Sequence, residues 1–419
     1  MLPKMDSLIA QCRICGSGEL ESVLNLGKLP ISGYFPYADE KVPELPLDFS
    51  LCLVCGLHQL RHLLPIETLY SSSYGYESHL NASMVNHLRQ KAKSLYELYL
   101  KPNKSNKLLD IASNDGTFLK EFSELDSTLE LYGCDPLISN FTDFYPIDAV
   151  KIYEFFGLDK LSKSIVGKLD LVTCLSVFYD LDKPIDFAQD VWHCLKPGGI
   201  WHLEQSYCLS MFQQNSFDTI CHEHILYLNL SDFLAIFEKV GFEVLDVDLN
   251  KVNGGSIALT LRKCDKNKIR HVTKFLQLLE KERQELASFK SKSQGFEISV
   301  QKLLEDLDKL VNREIQMGRQ IFALGASTKG NIILGAAKLD YRTITGIGDI
   351  NPKKFGRFTP GTLIPIVPEE DVLKENPIET TLLILPWHFR DTFVNKTIEF
   401  RELGGRVIFP LPYPTILTR

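Results

Sequence analysis

Apolar and polar positions change rhythm several times along the chain, and each change marks a different kind of structure. From residue 107, short apolar runs alternate with amphipathic ones. "KLLDIA" reads as a buried strand ending near Asp110, "SNDGTFLKEF" turns into a helix, and "LELYGCDP" is a second strand ending in Asp135. "KLDLVTCLSVFYDL" is another buried strand running out into a loop. "CLKPGGIWHLEQSY" reads as a helix end, a Pro-Gly-Gly bend and a further strand. "VGFEVLDVDL" followed by "NGGSIALTLRK" predicts a closing antiparallel pair. The whole predicts an α/β unit, a parallel sheet finished by an antiparallel hairpin.

Residues 266–320 are nearly free of Gly and Pro and rich in Lys, Glu, Leu and Gln, so long helices are expected there, broken at "SKSQGF". "QIFALGASTKGNIILGAAKL" then reads as strand, Gly-rich loop and helix. The alternation continues through "ITGIGDINPKKFGRFTPGTLIPIV" to "GGRVIFPLP", predicting a second, Rossmann-like α/β domain over 321–419. Ahead of the first sheet, "LYSSSYGYESHLNASMVNHLRQKAKSLYELY" is helical in its second half, with apolar positions near 84, 88, 95 and 98. Tyr70, Tyr74 and Tyr76 precede that helix in a Ser/Gly-rich loop, either as packing groups or as ligands for a polyhydroxylated molecule.

A length of 419 residues accommodates two or three domains, and 44% hydrophobic with 24% charged residues is ordinary globular composition. No run approaches the ~18 apolar residues of a membrane span, and "MLPKMDSLIAQCRICG" lacks the features of a signal peptide. A cytoplasmic protein that binds no membrane is expected. The net charge of −7 argues against general nucleic-acid binding.

Four of the ten cysteines form two C-x-x-C pairs, Cys12/Cys15 and Cys52/Cys55, with Gly16 and Gly56 placed to turn each knuckle back. Two thiolates on one tight turn suit tetrahedral zinc, and four cysteines leave no open position, so the ion is expected to be structural. Residues 1–68 form this module. A nucleic-acid ribbon is the other common use of such knuckles, but the acidic, Leu- and Pro-rich insert "ADEKVPELPLDF" speaks against it. The remaining cysteines read as core residues.

In the middle domain, 69–265 with a helical lead-in over 69–105, Asp135 lies about twenty residues beyond the first loop. At that distance a carboxylate meets a ribose diol in a βαβ nucleotide site. The loop is poor in glycine, which disfavours a pyrophosphate and favours S-adenosylmethionine. The expected cofactor contacts are Asp110, Ala112, Asn114, Asp115, Gly116, Asp135, Pro136 and Ser176. The sheet ending favours a class I methyltransferase core over a dehydrogenase. In the last domain, beyond the 266–320 connector, Lys329 and the helix amides beside Gly330 and Asn331 offer an anion site, with a structural tight turn as the alternative.

"NSFDTICHEHILYLNL" sets His222, Glu223 and His224 side by side. A zincin would need H-E-x-x-H on one helix face, and these histidines are only two apart. A proton-transfer site or a satisfied structural pair remains.

The zinc module, the "ASNDG" loop, "FDTICHEHILY" and "LGASTKGN", in that order, resemble the S-adenosylmethionine-dependent sugar C-methyltransferases of deoxysugar pathways, from about Cys12 to Pro410. Those enzymes methylate a carbon beside the ketone of a nucleotide-linked 4-keto-6-deoxyhexose. The resemblance implies that His224 is the general base and Glu223 its supporting acid, holding the ring and stabilising the imidazolium. By the same resemblance His222 orients the sugar or supports the loop, and Tyr76 is a candidate to stabilise the enolate. It implies a nucleotide-linked ketosugar as partner, with Tyr74, Tyr207, Asn253, Lys329, Gly330 and Asn331 on the substrate side, and a monomer or weak homodimer. The chain departs from the family at Cys221 (a tyrosine elsewhere), Asp180 (often a histidine), Asn253 in the His-Gly-Gly-Ser turn, and Ala258 in place of an arginine. An O- or N-methyltransferase acting on another small polyol, or a non-catalytic zinc-stabilised nucleotide-sugar binder, are the competing readings.

Overall fold

The computed structural model describes residues 7–70, 76–102, 104–290 and 293–418. At the front, β1 (Leu20–Pro30), β2 (Glu44–Cys52) and β3 (His58–Leu60) pair antiparallel. Gly16 N–H donates to the Cys12 carbonyl and Gly56 N–H to that of Cys52, both at 2.9 Å, and the two glycines take φ of 76° and 87°. A Cβ is strained in that left-handed region, which is why the glycines stand there. The sheet has one further strand, and it comes from far along the chain. Leu226–Tyr227, just after His-Glu-His, pairs antiparallel with β3, Leu226 facing Gln59 and Tyr227 facing His58.

Helix α1 (Ala82–Tyr99) starts where the Asn81 side chain accepts from the N–H groups of Ser83 and Met84, and it buries Met84, Leu88, Ala92 and Leu95. Leu98, expected on the packed face, is exposed instead, and the small Ala92 takes the contact. The central sheet follows. Its strands are β4 (Lys107–Ile111), β5 (Glu130–Cys134), β6 (Val150–Ile152), β7 (Leu169–Leu175), β8 (Leu195–Ser206), β9 (Phe242–Asn250) and β10 (Ser256–Lys263). Their spatial order is β9-β10-β8-β7-β4-β5-β6, and β10 alone runs against its neighbours. This is the expected parallel sheet with an antiparallel ending. Its topological switch lies between β4 and β7, where the chain leaves for opposite sides and a crevice opens at the strand ends. Helices α2 (Thr117–Leu125), α3 (Pro184–Cys194) and α4 (Leu230–Val240) accompany the sheet.

The connector forms α5 (Thr273–Lys290) and α6 (Ser293–Gln316). On α5, buried Glu282 accepts from the hydroxyl of Tyr207 (2.5 Å), the N–H of Leu230 (2.5 Å), and the N–H and hydroxyl of Ser231 (3.0 Å each). A carboxylate thus caps the N-terminus of α4 from another helix, where free N–H groups and the helix dipole favour negative charge. The last domain contains β11 (Gln320–Leu324), α7 (Thr328–Ala337), β12 (Ile344–Asp349), β13 (Ile366–Pro368), β14 (Thr380–Ile384), β15 (Arg406–Phe409) and β16 (Thr415–Leu417). Its sheet order is β13-β12-β11-β14-β15-β16, parallel except for β16. One apolar core runs through all the units, from Phe49 and Leu57 through Trp201 and Phe237 to Phe275, Val300, Ile333 and Leu383. They are therefore packed as one body around a shared cleft. Among the described residues no helix is long and apolar enough to cross a membrane.

Candidate active site

The first wall of the cleft is the loop after β4. Ala112 and Asn114 hold φ of 54° and 48°, and Gly116 holds 79°. Left-handed backbone at two residues bearing a Cβ costs of order 1 kcal/mol each and persists where surrounding bonds enforce it. Those bonds are visible. Ala112 N–H donates to the Cys134 carbonyl (2.7 Å), Asn114 N–H to an Asp135 carboxylate oxygen (3.0 Å), and the Tyr145 hydroxyl to the Asn114 carbonyl (2.8 Å). The Tyr145 ring lies so close that a Cβ at Gly116 would approach it to 2.7 Å. The chain ahead of α1 closes over this loop: Ser78 N–H meets Asn114 Oδ1 (3.2 Å), while the N–H of His79 (2.8 Å) and its Nδ1 (2.9 Å) meet Asp115 Oδ2.

The donor set suits a cationic cofactor. Asp110, bonded by Thr173 (2.6 Å), is raised by burial to about 7, and an arriving positive charge favours its ionised form. Asp135 accepts N–H bonds from Asn114 and Leu137 and keeps lone pairs for a diol, since a carboxylate offers about four acceptor sites. Pro136 follows Asp135, and Ser176 lies exposed beyond β7 with φ 58°. The carbonyl of Tyr76 accepts from Asn114 Nδ2 (3.1 Å), and the residue as a whole is 44% exposed, while burial pushes its phenol up to about 12. Tyr74 lies outside the described residues.

The second wall is the His-Glu-His loop, where the three side chains part company. His222 is buried, and its Nε2 lies 3.2 Å from the Leu45 carbonyl on β2, a contact with the zinc module. Glu223 is buried facing Ser32 (3.4 Å) and Gly33, where an added Cβ would come within 2.4 Å of its carboxylate. Burial pushes its pKa up. The expected support of the base by Glu223 is corrected here: the ring of His224 is held by the Thr219 carbonyl, 3.0 Å from Nδ1. A carbonyl only accepts, so Nδ1 carries the proton and Nε2 keeps its lone pair. No described group bonds Nε2. Tyr179 packs its ring on the imidazole at 4.1 Å, and burial with the nearby charge of Lys329 draws the His224 pKa down to about 3. Asp180 accepts from the Tyr70 hydroxyl (2.6 Å) and leaves its second oxygen buried without a partner.

The third wall is the switch point of the last domain, between β11 and β14. Gly325 meets Pro386 there, where a Cβ would come within 2.3 Å of the proline ring. Trp387 Nε1 donates to Asp218 (2.8 Å), one residue before the anchor of His224, and Gly254 packs against the indole. At the α7 N-terminus, where an anion site is expected, each polar group makes one bond within the protein. Gly330 N–H donates to the Ser327 cap (3.1 Å), Asn331 Nδ2 to the Ser32 carbonyl (2.7 Å) and Lys329 Nζ to the Asn253 carbonyl (2.7 Å). Tyr207 likewise gives its hydroxyl to Glu282 while its ring lies in a small cavity beside His224. These residues bind the units to one another. Asn253 is in left-handed backbone, φ 53°.

The four module cysteines converge. Cys12 and Cys55 have their Sγ atoms 3.5 Å apart, Cys15 and Cys52 3.6 Å, and all four lie within 4.8 Å of one another. Four bonds of ~2.3 Å at tetrahedral angles put sulfurs about 3.8 Å apart, so the cluster fits zinc. Sequence reasoning missed Ser78, His79, Tyr145, Thr219, Asp218 and Trp387. Each acts through a contact distant in sequence, and Thr219 through its carbonyl, so no local spacing signals them.

A cofactor loop at the β4/β7 switch, a β10 strand running against the rest and a four-cysteine module in front define a class I S-adenosylmethionine-dependent methyltransferase with a zinc-binding module. Three family profiles cover the chain in turn: a zinc binding domain at residues 12–70, a methyltransferase domain at 84–247 and a C-methyltransferase C-terminal domain at 251–412. The protein belongs to the S-adenosylmethionine-dependent C-methyltransferases. It is 26% identical over 416 residues to the C-methyltransferase NovU of Streptomyces niveus, spanning 98% of this chain and 97% of NovU. Solved structures overlap its middle part. The CurJ carbon methyltransferase covers 45% of this chain and 57% of its own, at 14% identity and a TM-score of 0.35. The Burkholderia thailandensis 1,6-didemethyltoxoflavin-N1-methyltransferase with bound 1,6-didemethyltoxoflavin and S-adenosylhomocysteine covers 42% of this chain and 79% of its own, at 13% identity and a TM-score of 0.33.

Proposed function

We propose that the protein C-methylates the carbon beside the ketone of a nucleotide-linked 4-keto-6-deoxysugar, with His224 as general base. One observation carries this reading: His224 is fixed as the Nδ1–H tautomer by the Thr219 carbonyl, which leaves Nε2 as an unbonded acceptor on a ring that lines a small cavity with Tyr179, Tyr207 and Tyr227. A carbon acid needs such a base, and the adjacent carbonyl makes the proton removable. Asp110, Asn114 and Asp135 would hold S-adenosylmethionine, which supplies an electrophilic methyl group when bound. An anionic carrier is supported by Lys353, Lys354 and Arg357 after β12. Lys354 donates to the Ala326 carbonyl (2.7 Å) and Lys353 pairs with Glu77 (2.9 Å) beside Tyr76, which sets this basic run along the rim between the last domain and the cofactor loop.

The test is exchange of the substrate α-hydrogen with deuterated water, using dTDP- and GDP-linked 4-keto-6-deoxyhexoses. His224→Gln is expected to slow exchange and methylation by about 10²–10⁴-fold while calorimetric binding of S-adenosylmethionine persists. Wild-type exchange in that variant would remove the base from His224. Methylation of a hydroxyl or amine without any α-exchange would replace the reaction itself.

A further inference from the structure

We propose that Lys329, from the last domain, stabilises the enolate oxygen that forms when His224 takes the substrate's α-proton; this rests on the reading of His224 as base. The starting point is a half-buried ammonium with little to bind. Lys329 Nζ donates once, to the Asn253 carbonyl at 2.7 Å. An ammonium has three donors, and the other two find no acceptor and no ion pair among the described residues. Asp218 attracts the ammonium from beyond ion-pair distance, which offsets only part of the cost of burying it.

Its position is fixed by packing. Asn253 and Gly254 lie against Trp387, the Trp387 indole binds Asp218, and the turn containing Asp218 also supplies the Thr219 carbonyl that anchors His224. The charge of Lys329 is felt at Asp218, Cys221 and His224, three groups of one loop. The competing stabilisers are poor. The Cys221 thiol is wholly buried and a weak donor, Glu223 is turned toward Ser32 and Gly33, and Asp180 is engaged by the Tyr70 hydroxyl.

The electron count explains why a cation belongs here. His224 Nε2 takes the proton: the C–H bond breaks, an N–H bond forms, the C–H pair becomes the enolate double bond, and the carbonyl π pair moves onto oxygen. Alone, this would leave an imidazolium facing an ammonium in a water-poor cleft. With the oxygen against Lys329 Nζ, the new anion lies between two cations, and each favours it.

Lys329→Met and Lys329→Gln separate this role from that of a phosphate clamp. With dTDP-4-keto-6-deoxyglucose at saturation, both variants should lose α-hydrogen exchange by about 10²–10³-fold, the loss typical of one oxyanion donor. The sugar-nucleotide Kd should change only a few-fold, and Lys329→Arg should recover part of the rate. Retained binding of S-adenosylhomocysteine shows that the variants fold, and Lys329→Gln keeps a donor for the Asn253 carbonyl. A weaker Kd with an unchanged exchange rate at saturation would overturn the proposal in favour of phosphate binding. Absence of exchange in the wild-type protein would overturn it together with the His224 reading.

Discussion

Removing the zinc should disable His224, the proposed base, without touching the cofactor site. Leu226 and Tyr227 complete the module's sheet against β3, and Leu60 N–H donates to the Ile225 carbonyl at 2.9 Å, so His224 is one residue from a strand that the module holds. Cys52 ends β2 and Cys55 lies in the turn to β3, so the pair sets the start of that strand. A structural zinc contributes roughly 10–16 kcal/mol in small peptides, as much as the ~5–15 kcal/mol that holds an average domain together. A module of this size therefore loses its fold when the ion leaves. The pairing of β3 with Leu226–Tyr227 goes with it, and so does the seat of His222 on Leu45. A displacement of about 1 Å at a catalytic group costs about 10²-fold, so α-hydrogen exchange should fall at least that far in Cys52→Ser or after chelation. The cofactor loop is tied by Ser78, His79 and Tyr145 instead, so binding of S-adenosylmethionine should stay near wild type. Zinc content by a colorimetric chelator, cofactor binding by calorimetry and exchange by NMR would be measured on one sample. A zinc-free protein that exchanges at the wild-type rate would refute the coupling.

Two further outcomes are expected. Glu282→Ala removes the acceptor of four hydrogen bonds inside the protein. It should cost about 3–5 kcal/mol in guanidinium unfolding followed by tryptophan fluorescence, and a change under about 1 kcal/mol would show that the cap is dispensable. The pH profile carries the second. The folded pKa of His224 is depressed to about 3, so its neutral, proton-accepting form persists as pH falls through 6.5. The exchange rate should therefore show no loss near 6.5 attributable to this imidazole. The charge of Lys329 acts on it, the Tyr179 ring packs against it, and Tyr207, Cys208 and Tyr227 line the cavity it shares. A limb at 6.5 that vanishes in His224→Gln would contradict the buried, neutral ring.

The zinc knuckles, the order of strands and helices, and the acids at the ends of β4 and β5 were legible in sequence because each is local. Two thiolates three residues apart share one turn, alternating apolar runs bury one sheet, and a strand that ends in an acid presents it at the crevice. The helix at 82–99 was legible too, but Leu98 was misplaced on its buried face. Periodicity shows that a stripe exists, not which of its positions the neighbouring elements cover.

The sequence by itself determined which chemical groups this protein carries and the secondary structure beneath them. Tertiary structure alone decided what each group does. His222, Glu223 and His224 are adjacent in sequence yet point to Leu45, Ser32 and Thr219, because the loop is irregular and each direction is set by a different unit packed against it. Lys329 reads as a phosphate ligand on the helix it opens, yet its ammonium reaches the Asn253 carbonyl of the middle domain, because α7 docks there. A side chain's protonation and its role depend on burial and on partners hundreds of residues away, and no spacing along the chain encodes those.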